Sequence, residues 1–67
     1  MNKLFTIAIQ KEADWFVAKC IENSVASQGK TMDEAIDNLR EAVALYYEDE
    51  ALPVLTQTFV TTLEVAL

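Results

Sequence analysis

Three groups of side chains in this sequence could carry chemistry: carboxylates at helical spacing, a single thiol, and two neighbouring hydroxyls. Asp33 and Asp37, like Asp37 and Glu41, stand four residues apart, a spacing that places both carboxylates on one face of a helix. Such a pair can bind a hard cation or divide the roles of acid and base. Acid–base work near neutral pH needs burial to separate the two pKa values, and both pairs fall on what reads as a solvent face. Cys20 is the only cysteine and the sequence has no histidine. A Cys/His nucleophile within one chain, an internal disulfide and a cysteine metal cluster are therefore excluded. Ser24 and Ser27 flank Val25 without a Ser-x-x-Lys or Gly-x-Ser-x-Gly setting. The sequence is read as that of a non-enzyme, with no catalytic residue, cofactor or metal.

Charge points instead to recognition. Of 11 carboxylates, Asp33, Glu34, Asp37, Glu41, Glu48, Asp49 and Glu50 lie in one segment, accompanied by Arg40 alone among five basic residues. The net charge of -6 repels phosphate backbones and attracts basic proteins. Lys3, Lys11, Lys19, Lys30 and Arg40 are scattered, so no basic stripe exists for direct nucleic-acid binding.

The elements that position these groups follow from periodicity. Leu4 to Gln10 alternates as a first strand, with Phe5, Ile7 and Ile9 on one face. Lys11 to Asp14 reads as a hairpin connection of about four residues. A second strand, Trp15 to Cys20, places Trp15, Val17 and Lys19 opposite Phe16, Ala18 and Cys20, and Cys20 is expected to be a small buried residue. A modest third strand spans Ser24 to Gln28, followed by Gly29 as a turn residue tolerant of positive φ.

Thr31 to Glu34 forms a T-x-x-E capping box. Behind it Met32, Ala35, Ile36, Leu39, Ala42, Val43, Tyr46 and Tyr47 recur at helical period as far as about Glu50. The outer face then carries Asp33, Asp37, Asn38, Arg40, Glu41 and Glu48. Carboxylates at the helix end oppose the macrodipole, and Asp37 repels Glu41. Pro53 marks a linker. From Thr56 a threonine-rich strand places Phe59, Thr61, Leu63, Val65 and Leu67 on one face, as an edge pairing with another subunit or as a strand inserted into the sheet. Trp15 has two readings, a core filler or an exposed contact anchor beside Asp14. For Tyr46 and Tyr47, one is expected on the sheet and the other at a subunit border.

The result is an α+β domain over residues 1–67, ordered β-β-β-α-β, with one helix packed across an antiparallel sheet. With 52% of its residues apolar in only 67 positions, it is expected to self-associate as a dimer or tetramer. The apolar stretch near its start is too short for a signal sequence or membrane span, which gives a cytoplasmic expectation.

The runs Trp15-Phe16-Val17-Ala18-Lys19-Cys20 and Val25 to Ala42, the latter containing Ser27, Gly29, Thr31, Glu34-Ala35, Asn38 and Glu41-Ala42, resemble the HicB-like antitoxin family over about residues 3 to 50. The resemblance implies a partial ribonuclease-H-like or double-stranded-RNA-binding-domain-like topology without catalytic residues. It also implies a partner, a small basic HicA-type mRNA interferase toxin that the antitoxin binds and masks. Ile21 to Ser24 departs from the family, which often has proline after the cysteine. No DNA-binding domain is expected after Leu67, so repression by this chain alone is not expected. Partner binding is assigned to Trp15, Asp33, Asp37 and Glu41. An oligomeric scaffold or regulatory module without a toxin is the alternative, and a small-ligand binder using a cleft between subunits is a third class.

Overall fold

The computed structural model describes residues 3–48 and 57–67. Strands β1 (Ile7–Glu12), β2 (Trp15–Cys20) and β3 (Ala26–Gly29) form an antiparallel sheet in the order β1-β2-β3, followed by helix α1 (Met32–Tyr46). The helix lies across β3 and β2. This is the expected α+β arrangement for its first four elements.

The hairpin is tighter than the four-residue connection expected from sequence. Lys11 and Glu12 belong to β1, pairing with Phe16 and Trp15, so the connection is Ala13 and Asp14 alone. The two polar residues extend the ladder on opposite faces: Lys11 lies on the helix side beside Phe16, its ammonium 5.9 Å from the ring centroid, and Glu12 lies on the other side beside Trp15. The tight turn requires Ala13 at φ 53°, a left-handed conformation that costs an alanine about 1 kcal/mol.

Gly29 also departs from expectation. No glycine has positive φ; Ala13 and Ser24 occupy that region instead. At Ser24 (φ 64°) the strain is held by Asn23, whose Oδ1 accepts the Val25 amide at 3.0 Å, and by the Ser24 amide donating to the Cys20 carbonyl at 2.8 Å. Gly29 ends β3, buried beneath the start of α1. A Cβ there would sit 2.6 Å from the Ala35 nitrogen and 2.9 Å from the Glu34 carbonyl carbon. Glycine is therefore needed for close approach of strand and helix rather than for φ.

The capping box forms as read, with one shift of partner. The Glu34 amide donates to Thr31 Oγ1 at 3.1 Å, while the Glu34 carboxylate reaches the Lys30 amide at 3.4 Å. The helix then buries Ala35, Leu39 and Val43 against Ala18 and Cys20, and Phe5, Ile9, Phe16, Val25 and Tyr47 close around them. Alternation in β2 decides which side chains take part: Phe16, Ala18 and Cys20 face the helix, and Trp15, Val17 and Lys19 face away. Tyr47 stacks on Phe5 with centroids 5.9 Å apart, and its hydroxyl accepts from Asn23 Nδ2 at 3.2 Å. Tyr46 meets it edge-on and remains exposed, so Tyr47 is the one of the pair that packs against the body.

The helix ends at Tyr46, short of the expected Glu50, with Tyr47 as its C-cap and Glu48 in a turn. The Pro53 linker and the start of the last strand at Thr56 lie outside the described residues, and the last strand expected to follow is not formed over residues 57–67, which carry no β-ladder. No helix among the described residues is long and apolar enough to cross a membrane.

Candidate interaction surface

The face of α1 turned from the sheet carries the acidic groups. Burial of Ala35, Leu39 and Val43 fixes the helix rotation, and Asp33, Asp37 and Glu41 emerge exposed on the other side. Asp37 is not a free charge. Arg40 Nη1 donates to its Oδ1 at 2.8 Å, an exposed pair that relieves the repulsion between Asp37 and Glu41. At the helix end no basic residue occupies the last turn, and exposed Glu48 follows, so the carbonyl end of α1 meets negative rather than positive charge.

Asn38 is exposed, as read from sequence, and also makes a bond that the sequence did not indicate. Its Nδ2 donates to the Gln28 carbonyl at 2.9 Å and so ties α1 to the outer strand β3. Trp15 is 41% exposed and stays out of the core cluster, which overturns the core-filler reading and leaves the contact-anchor reading. It sits on the sheet face opposite the helix, with Lys30 Nζ 5.9 Å from the ring centroid. The four residues assigned to partner binding thus divide in two: Asp33, Asp37 and Glu41 share α1, and Trp15 occupies the opposite side of the sheet. Beside it, Val17, Ala26, Ser27 and Gln28 line an open depression of about 260 Å³ that contains no ionisable side chain.

A polar joint that sequence reading missed links the start of β1 to the β2–β3 connection. The Thr6 amide donates to Glu22 Oε1 at 2.8 Å, and the Ile21 amide donates to the Thr6 carbonyl at 2.9 Å. The Thr6 amide bond chiefly, aided by the Thr6 and Thr58 hydroxyls, holds the Glu22 carboxyl at about 2, well below the usual carboxylate range. Cys20, fully buried as expected, places its Sγ 3.7 Å from the same oxygen, and burial pushes its thiol pKa up. A thiol so placed is a packing group rather than a nucleophile. The one available signal was the Asn23-Ser24 pair, a favoured tight-turn sequence; nothing local announces that Glu22 reaches residue 6.

Among the described residues no cluster of three or more acidic, cysteine or histidine side chains could hold a metal ion. The arrangement presents an acidic helix face, an exposed tryptophan and an apolar terminal segment, all suited to macromolecular contact.

The chain belongs to a protein family whose model, described as a family of unknown function (DUF7387), matches residues 5–65. No curated protein and no solved structure matches it.

Proposed function

We propose that this protein is an antitoxin-like binding module that masks a small basic HicA-type mRNA interferase toxin in the cytoplasm. The observation that carries this reading is the exposure of Asp33, Asp37 and Glu41 on one side of a helix whose opposite side is fully engaged with the sheet. A basic partner would be steered to that face by charge, and binding would weaken with added salt. The resemblance of residues 15–42 to HicB-like antitoxins supplies the toxin class, and the β-β-β-α order is compatible with the ribonuclease-H-like or double-stranded-RNA-binding-domain-like topology of that family. Inhibition on this reading is steric: the module itself contributes no acid, base or nucleophile.

The test uses a small basic HicA-type ribonuclease, purified and titrated against this protein by calorimetry. The expected result is a stoichiometric complex that suppresses ribonuclease activity and is lost when Asp33, Asp37 and Glu41 are all replaced by lysine. Unchanged affinity in the triple variant, with circular dichroism showing an intact fold, sinks the surface; absence of any complex sinks the antitoxin reading. A toxin-free oligomeric scaffold is the second reading, favoured by the exposed apolar side chains of residues 59–67.

A further inference from the structure

Residues 57–67 have the composition of a strand and none of its bonds. Phe59 is 84% and Leu63 86% exposed, Val60 and Val65 are also open, and no ladder pairs them within the chain. Threonine, valine and phenylalanine in alternation favour extended backbone, which leaves amides and carbonyls in need of partners. The segment begins near the body: Thr58 is half-buried and lies close enough to Glu22, the carboxylate that receives the Thr6 amide, to help lower its pKa. The arm therefore starts beside the beginning of β1.

Among the described residues, large apolar side chains stand open both on this arm (Phe59, Val60, Leu63 and Val65) and at the start of β1 (Leu4 and Ile7), so each offers the other a surface to cover.

The sheet has two edges, and they are not equally free. At β3 the helix packs alongside and Asn38 already occupies the Gln28 carbonyl. At β1 the helix gives little cover, Ile7 is 37% exposed, and Leu4 just before it is 92% exposed. Each copy thus owns a donor, the arm, and an acceptor, the outer edge of β1. Extended, residues 59–67 span about 30 Å, more than the roughly 20 Å of a six-residue strand such as β1. Two copies related by a two-fold axis satisfy both needs at once, since that symmetry makes donor and acceptor reciprocal.

We infer that the protein is a strand-exchanged homodimer in which residues 59–67 of each copy add to the β1 edge of the other. This does not depend on the antitoxin reading. It closes the free edge of the sheet, covers Leu4 and Ile7, and joins two three-stranded sheets through reciprocal fourth strands.

The test begins with analytical ultracentrifugation of the full chain, which should give a dimer. A dimer mixed from isotope-labelled and unlabelled copies should then show intermolecular nuclear Overhauser contacts from Phe59, Leu63 and Val65 to β1. Leu63→Pro removes an amide needed for pairing and should give a monomer whose body keeps its amide dispersion. Since proline could also act through misfolding, Leu63→Lys gives a second route to the same loss of association. A monomeric full chain, arm-to-β1 contacts found only within one copy, or a dimer whose contacts bypass the arm would each overturn the inference.

Discussion

The two edges of the sheet solve the same problem by different means. At β3 the chain covers its own edge: Gly29 lets α1 approach within backbone contact, Asn38 bonds a strand carbonyl, and Leu39 is driven into the core at 2% exposure. At β1 the edge is less covered, with Leu4 and Ile7 open and the apolar side chains of residues 59–67 exposed. The difference teaches where this protein keeps its intrinsic stability and where it keeps a capacity to associate. A small chain cannot bury all its apolar surface alone.

The comparison breaks first at Leu39. Leu39→Ala removes the largest fully buried side chain among the described residues and should cost about 2 to 5 kcal/mol, read by urea unfolding of the full chain. A loss comparable to that of a surface alanine would mean that the helix is not the source of stability. Next comes Gly29→Ala, whose Cβ meets backbone atoms of α1 that cannot swing aside; overpacking of this kind costs about 1 to 3 kcal/mol. Amide shifts concentrated at residues 28–36 would accompany it, and an unperturbed spectrum would refute the close-approach role.

Thr31→Ala sharpens the same side on a smaller scale. Loss of the hydroxyl that accepts the Glu34 amide should cost about 1 kcal/mol, with Thr31→Ser recovering most of it in thermal melts. The smallest effect belongs to the β1 side and is read by pH. Glu22 has a folded pKa of about 2, below its ordinary 4.5, so its stabilising contribution is complete above pH 4.5 and is lost as pH falls toward 2. Glu22→Gln should remove that dependence and loosen Thr6 and Thr58 together, measured by hydrogen exchange at Thr6. Parallel melting-versus-pH curves for the two proteins would contradict the joint.

Much of the covered side was legible in order of sequence. Thr31 and Glu34 announce the start of α1 because capping is a local bond across three residues, and Ala35, Leu39 and Val43 announce its buried stripe because helix period is local as well. The β2 faces followed from alternation, which correctly put Ala18 and Cys20 inside. What failed were positions governed by approach rather than pattern. Gly29 looked like a turn and proved to be a contact; Lys11 and Glu12 looked like a loop and proved to be paired; and the bond from exposed Asn38 to β3 had no signal in the sequence.

For the candidate site, the acidic residues of α1 were readable because charge and period are both written along the chain. Their relation to Trp15 was not, since a helix face and a sheet face acquire a mutual orientation only when the layers pack. The ion pair of Arg40 with Asp37 is an exposed contact between residues three apart on the helix.

By itself the sequence determined the acidic helix, its cap, the buried stripe and the strand-forming character of residues 57–67, because each arises from interactions among near neighbours. Tertiary structure alone decided that Glu22 would bind Thr6, that Trp15 and the helix carboxylates would lie on opposite sides, and that β1 would remain the less covered edge. Those outcomes depend on distances between residues far apart in the chain, which no local pattern encodes.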